Sequence, residues 1–181
     1  MKLYRQTVED FRLYPGMELE SLDAIREHNS CYSAKMRAVR IISASSVSKR
    51  DLESRLVRKG ESEAQAREAV QWLADLNLVD DRQTAKQIVE SCIRKGYGLA
   101  RAKQALYEKQ IPKQLWAEAL EDYPDQLDAI VRLLEQKLKD PEDPKQVKRA
   151  IDAALRRGHS YGSVKRALER IGTESDFEEE Y

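Results

Sequence analysis

The sequence predicts an all-α protein built from tandem three-helix, helix-turn-helix-like repeats. Composition is the first observation: 41% of the residues are hydrophobic and 35% charged, with only 7 Gly and 5 Pro among 181 residues. That balance suits amphipathic helices with strongly charged outer faces. No apolar run approaches the roughly 18 residues of a membrane span, and the first residues lack the apolar core of a signal peptide. We therefore expect a soluble cytoplasmic protein without membrane contact.

An internal repeat is the second observation. Three dipeptides at predicted helix ends lie 50 and 48 residues apart, and each is followed two positions later by a helix-starting residue. They are Lys59-Gly60 before Ser62, Lys109-Gln110 before Pro112, and Arg157-Gly158 before Ser160. A period near 50 residues with three helices in each unit predicts stacked helical triplets, each covering the apolar face of its neighbour.

This register divides the chain into five predicted segments. They are an N-terminal lead-in, 1–33, with a short helix near 19–27; repeat 1, 34–80; repeat 2, 81–123; repeat 3, 124–172; and an acidic disordered tail, 173–181. The tail is short and acidic, which favours disorder.

Helix starts follow from local capping patterns. In repeat 1, Ser48 with Asp51, and then Ser62 with Gln65, have the spacing of an N-cap and its N3 residue. In repeat 2 the acids Asp80 and Asp81 open a helix in the same way. In repeat 3 we expect helices near 125–139, 145–157 and 160–171.

The centre of repeat 2 shows how a repeat is divided. Ala85, Val89 and Cys92 recur at helical spacing, and Gly96 can take the left-handed conformation that ends a helix. Gly98 permits a second change of direction. Tyr97 between the two glycines is interpreted as a core side chain, with a place in a contact surface as the alternative. Beyond it, a second apolar stripe consists of Leu99, Ala102 and Leu106, and Pro112 is expected to open a third helix.

Charge is unevenly distributed along the chain. Residues 34–172 contain 28 Lys and Arg against 21 Asp and Glu, a net charge of +7, whereas 1–33 carry −2 and 173–181 carry −5. A basic body favours an acidic partner or one that contains nucleic acid, although a solvated helical surface explains the charges equally well.

The sequence offers little for catalysis. His28 and His159 lie in different predicted segments, and we expect His159 to be solvated in a helix-to-helix turn. Asp80 and Asp81 are explained by capping, and the Gly96-Tyr97-Gly98 turn matches no phosphate-binding loop. Cys31 and Cys92 are too far apart to suggest a metal site. We predict a non-enzymatic protein without metal or cofactor.

Binding is better supported than catalysis. Basic side chains interleave with Tyr97 and Tyr107 around a turn between two glycines, an arrangement that favours a contact surface. The candidate partner-binding residues are Lys86, Arg94, Lys95, Arg101, Lys103, Arg156 and Arg157.

The order of these motifs resembles the RecX family, bacterial regulators of the RecA recombinase. In the central block the resemblance is carried by Leu73, Asp80, Asp81, Ala85, Lys95, Gly96, Tyr97, Gly98, Arg101, Leu106, Lys109 and Ile111. In the outer repeats it is carried by Ser48, Asp51, Leu52, Leu56, Lys59, Gly60, Ala150, Leu155, Arg156, Arg157, Gly158, Ser160 and Val164. Together these cover most of 34–172.

The resemblance implies an elongated, curved array of three repeats that binds the groove of a RecA filament on single-stranded DNA. It implies modulation, mostly inhibition, of RecA's recombinase, ATPase and coprotease activities in DNA repair and the SOS response. Thr84 and Gln110 depart from the family's usual residues, and basic residues are missing before Ser48. The departures shift the expected contact surface to repeats 2 and 3. A module that binds naked DNA directly, if weakly, and a general protein-interaction scaffold are the alternatives.

Overall fold

The computed structural model describes residues 2–18, 21–140 and 143–172, and every described regular element is helical. The helices are α1 Arg5–Asp10, α2 Asp23–Ala44, α3 Lys49–Arg58, α4 Glu63–Asp75, α5 Asp81–Arg94, α6 Leu99–Glu108, α7 Trp116–Leu120, α8 Leu127–Lys137, α9 Pro144–Arg156 and α10 Tyr161–Arg170, with a 3-10 turn at Lys113–Leu115. The all-α prediction is confirmed. The predicted acidic tail lies outside the described residues.

The chain forms two compact units, Met1–Thr84 and Ala85–Tyr181, which we call unit 1 and unit 2. The division into three repeats of three helices stays a prediction at this level. In the described residues, no helix combines the length and the apolar character that a membrane span requires.

Unit 1 is built on the long helix α2, which packs against α3 and α4. Leu52, Leu56 and Leu73 are fully buried at their contact. The short helix predicted at 19–27 is wrong, because α2 continues without a break to Ala44. The segment 28–33 contains weak helix formers, but α1 packs on it, and the Tyr4 N–H donates to Asn29 Oδ1 at 2.7 Å. Tertiary contact thus overrides weak local propensity.

Helix starts in unit 1 follow the predicted caps. Ser48 Oγ accepts the Asp51 N–H at 3.0 Å, and Ser62 with Gln65 forms a full capping box. Asp80 Oδ1 accepts the Arg82 N–H at 2.8 Å at the start of α5. Asp81 instead accepts the Lys49 N–H at 2.7 Å, so its carboxylate lies at the N-terminus of α3, where a negative charge is stabilising.

The described residues of unit 2 form two apolar clusters. The larger joins α8, α9 and α10 through buried residues such as Ile130, Leu134 and Leu168. The smaller contains Ala85, Val89, Leu106 and Ile111. Two expectations for repeat 2 are corrected: Leu99 is 42% exposed, and Pro112 precedes a 3-10 turn rather than opening a helix directly.

Candidate binding surface at two packed turns

Two helix-to-helix turns of unit 2 pack against each other, and we call them the α5–α6 turn (95–98) and the α9–α10 turn (157–160). The Gly98 N–H donates to Arg157 O at 2.9 Å, and the Ala100 N–H donates to Gly158 O at 3.2 Å. Gly98 is the N-cap of α6 and offers no side-chain acceptor. Carbonyls from the end of α9 therefore satisfy N–H groups at the start of α6, and the opposite ends of two helix dipoles meet.

The contact is close enough to require glycine on both sides. Gly158 has φ +87°, and a Cβ there would collide with the backbone N and Cβ of Arg101. A Cβ on Gly98 would collide with the Gly158 carbonyl group. At Gly98 φ is −76°, a value that any residue can adopt, so the predicted change of direction does not require glycine. Glycine is needed there because the Gly158 carbonyl group approaches so closely.

His159 is buried in this contact, which contradicts the expectation of a solvated side chain. It is 7% exposed, and its Nε2 lies 3.1 Å from Gly96 O, so Nε2–H donates in the neutral ring. Burial lowers the pKa of His159 and the nearby Arg157 lowers it further, while the Gly96 hydrogen bond and Asp125 act in the opposite direction.

A backbone motif explains why His159 is buried. Its N–H donates to Ala154 O at 3.3 Å, as the Ile111 N–H donates to Leu106 O at 3.0 Å at the matching position of the repeat. In both cases the donor follows a residue in the left-handed conformation, and the hydrogen bond is the one that ends the helix. The side chain of the donor residue packs back on the helix. The repeat register, with apolar Ile111 as the guide, is the signal that could have revealed this burial.

A tyrosine pair joins the α5–α6 turn to the chain before α8. The Tyr123 hydroxyl donates to Tyr97 O at 2.6 Å. Burial raises the pKa of Tyr123 to about 12, so its hydroxyl remains a donor. The Tyr97 side chain is itself half-buried. This contact holds the backbone of the α5–α6 turn against a third segment of unit 2.

The packed turns bring together four of the predicted basic residues. Arg94 and Lys95 are exposed at the end of α5, and Arg156 and Arg157 are exposed at the end of α9. Among the described residues, no carboxylate lies within ion-pair distance of any of them. We call this group the four-cation surface.

The remaining predicted residues are placed differently. Lys86 Nζ lies 3.5 Å from Glu118 of α7. Arg101 is half-buried, and its guanidinium lies 3.2 Å from Glu108. Lys103 is exposed and lines a cleft of about 450 Å³ beside the packed turns, together with Asp125, Gln126, Ser160 and Ser163. Arg101 and Lys103 thus adjoin the four-cation surface, whereas Lys86 is directed to α7.

The chemistry of this region is that of binding. Hydroxyl, amide and ammonium groups line the cleft together with the carboxylate of Asp125, which is paired with Arg166 at 2.8 Å. Within the described ranges, no three His, Cys, Asp or Glu side chains are grouped so that they could hold a metal ion. The sequence had indicated the basic residues but not the exposure of Leu99 or the packing of the two turns.

Comparison with known proteins places the chain in a family. The family described as "RecX, second three-helix domain" matches residues 80–120. The proteins named "Regulatory protein RecX" from Chlorobaculum tepidum and Vibrio campbellii are similar along most of the chain. The first is 30% identical over 147 residues, 79% of this chain and 91% of the relative. The second is 27% identical over 139 residues, 75% and 90% of the two chains.

Solved structures show the same fold. A crystal structure titled as regulatory protein RecX matches with a TM-score of 0.71 at 18% identity, covering 92% of this chain and 86% of the other. RecX from Lactobacillus salivarius matches with a TM-score of 0.69 at 20% identity, covering 80% and 98%. The predicted class of repeated three-helix domains is thereby confirmed, and the chain belongs to the RecX family of regulatory proteins.

Proposed function

We propose that this protein is a non-enzymatic cytoplasmic regulator that binds RecA–DNA filaments and inhibits their recombinase, ATPase and coprotease activities in DNA repair and the SOS response. The observation that supports the proposal is the four-cation surface, which two packed turns form and which has no carboxylate of the described residues within ion-pair distance. Cations held in this way attract an anionic partner and accelerate its association. A nucleoprotein filament offers both phosphates and protein carboxylates.

A direct DNA-binding module is the second candidate function. Phosphate contacts depend on where the cations lie, and the four-cation surface groups them on one part of unit 2. The two candidates differ in whether binding requires RecA. Naked DNA should be bound with a steep loss of affinity between low and moderate salt if the second candidate is correct.

The test is a titration of RecA's DNA-dependent ATP hydrolysis with the wild-type protein, with binding to naked DNA measured in parallel. We expect inhibition at or below stoichiometric amounts of protein. The absence of any change across that range would refute the filament proposal. Tight binding to naked DNA combined with an unaltered ATPase would favour the second candidate.

A matched pair of triple variants locates the surface. Replacing Arg94, Lys95 and Arg156 with Gln removes three exposed cations without adding acids at helix C-termini. Arg94 and Arg156 lie in the last turns of their helices, so each of these two changes should cost about 0.3–1 kcal/mol of stability. This variant should lose most of the inhibition. The control replaces the exposed cations Arg40, Arg50 and Lys59 of unit 1 with Gln and should inhibit normally. Equal loss in both variants would mean that net charge matters and the position of the cations does not.

A further inference from the structure

Helix α6 has an outer face that the described residues of unit 2 leave exposed. Leu99, Lys103 and Tyr107 are four residues apart and therefore form one line along this face. Leu99 is 42% exposed and Tyr107 is 65% exposed, and Lys103 is also exposed. We call this line the α6 stripe.

The equivalent face of α9 is covered. Positions 48 residues later in the repeat register are Val147, Ile151 and Leu155. Val147 is 3% and Ile151 9% exposed, and Leu155 packs against the larger apolar cluster. The same line of positions thus belongs to the core in α9 and to the surface in α6, where an aromatic and a cation replace two of the aliphatic side chains.

The α6 stripe continues into the basic region already described. Helical side chains lean toward the N-terminus, a tendency that directs Tyr107 toward the turn that carries Lys103. Lys103 and Leu99 both line the cleft beside the α9–α10 turn. The carboxylate of Glu108, which follows Tyr107 in the sequence, is paired with Arg101 at 3.2 Å. An exposed ring, an exposed ammonium and the four-cation surface therefore follow one another along unit 2.

We propose that the α6 stripe binds single-stranded nucleic acid, with an unstacked base on the Tyr107 ring and the phosphates contacted by Lys103 and the four-cation surface. This inference rests on the proposed function for the nature of the partner and adds direct base contact. Aromatic rings beside a cationic track are the arrangement with which proteins bind single strands without regard to sequence. An acidic peptide would satisfy the cations but would not require an aromatic ring at position 107.

The experiment measures the affinity of the full chain for a fluorescently labelled oligothymidylate at low salt, by anisotropy. Tyr107→Ala should weaken binding about 5- to 140-fold, the equivalent of the roughly 1–3 kcal/mol attributed to stacking of one base. Tyr107→Phe keeps the ring and should bind as wild type, whereas Tyr107→Leu keeps apolar area without a ring and should bind like the Ala variant. Tyr14→Ala is the matched control, because Tyr14 is also 65% exposed but lies in unit 1.

Several outcomes would overturn the inference. They are no binding of the oligothymidylate by the wild-type protein, equal binding by the Ala and Phe variants, or wild-type binding by the Leu variant. Photocrosslinking to an oligonucleotide containing 5-iododeoxyuridine supplies a second measurement: Tyr107 should be the modified residue, and a crosslink confined to unit 1 would contradict the proposal.

The inference and the proposed function can fail separately. If wild-type protein inhibits RecA and Tyr107→Ala binds the oligonucleotide normally, base stacking is refuted and filament regulation stands. If Tyr107-dependent binding is found while RecA's ATPase is unaffected, filament regulation is refuted and base stacking stands.

Discussion

The turn at Gly60 in unit 1 and the turn at Gly158 in unit 2 have the same backbone conformation but different surroundings. Their φ angles are +94° and +87°. Apart from Gly60 and its chain neighbours, no atom of the described residues lies within 4 Å of a Cβ built on Gly60, whereas a Cβ on Gly158 would collide with Arg101. Gly60 ends a helix. Gly158 ends a helix and also leaves room for the start of a second helix to pack against it.

The carbonyl groups that precede the two glycines show the same contrast. Lys59 O accepts a hydrogen bond from the guanidinium of Arg37 at 2.5 Å. Arg157 O, at the matching position, accepts the backbone N–H of Gly98 at 2.9 Å. The carbonyl group of the Gly60 turn is therefore hydrogen-bonded by a side chain, and that of the Gly158 turn by the N-terminus of a helix. Both turns share one sequence pattern: Lys or Arg, then Gly, any residue and Ser. This pattern determines the local conformation of the turn but not which group the turn contacts.

The largest expected effect tests this contrast directly. Gly158→Ala should lower the free energy of unfolding by about 2–5 kcal/mol, combining left-handed strain of about 1–2 with overpacking of about 1–3. Gly60→Ala should cost only the strain, about 1–2 kcal/mol. Urea denaturation of both variants supplies the comparison. Equal losses would show that the contact at Gly158 accommodates a methyl group without an overpacking cost.

The second prediction concerns the side chain that completes the Gly60 turn. The guanidinium of Arg37 lies 3.2 Å from the carboxylate of Glu61, whose side chain is 7% exposed. Arg37→Ala should destabilise the protein by about 1–3 kcal/mol, because it leaves a buried acid without its partner. Arg37→Lys should recover part of the loss. If Arg37→Ala melts like the wild type, the Gly60 turn needs no side-chain support.

The third prediction is a pH dependence confined to the Gly158 turn. After the left-handed glycine, unit 1 has Glu61 and unit 2 has His159. The pKa of His159 is lowered in the folded protein, from an ordinary value of 6.5, mainly by burial. The unfolded chain therefore binds the proton more readily, and stability falls as the pH drops below about 6.5, by at most about 1.4 kcal/mol per pH unit.

Urea titrations at pH 7.5 and pH 5.5 measure this effect. His159→Gln should show a smaller loss of stability on acidification than the wild type, because the variant has no ring to protonate. His28→Gln is the control and should retain the full loss attributed to His159. A wild-type loss that His159→Gln leaves unaltered would mean that other groups cause it.

What could be predicted from the sequence was local. Ser48, Ser62 and Ser160 each accept an N–H group three residues later, a bond that depends on a few adjacent residues. The role of Asp81 could not be predicted in this way, since its partner is the N–H of Lys49, 32 positions away. The 22-residue length of α2 was missed for the same reason, because contacts with α1 support its weak segment.

For the candidate site, too, local features could be predicted from the sequence and long-range contacts could not. The exposure of Arg94, Lys95, Arg156 and Arg157 agrees with their position on the polar faces of amphipathic helices. Their gathering into one surface depends on the packing of two turns that no local pattern describes. The outer face of α6 was misjudged because Leu99 matches the helical period, and periodicity cannot tell whether a neighbour covers the residue.

The capping of α6 has a consequence for how the chain acquires its structure during synthesis. The hydrogen bond from His159 to Gly96 joins residues 63 positions apart, and the carbonyls that cap α6 belong to the same distant turn. When α6 leaves the ribosome its first N–H groups still lack these partners, and they gain them only after the α9–α10 turn has been translated. Such long-range closure slows folding. We expect a truncated chain that stops before Arg157 to leave the first N–H groups of α6 without these acceptors.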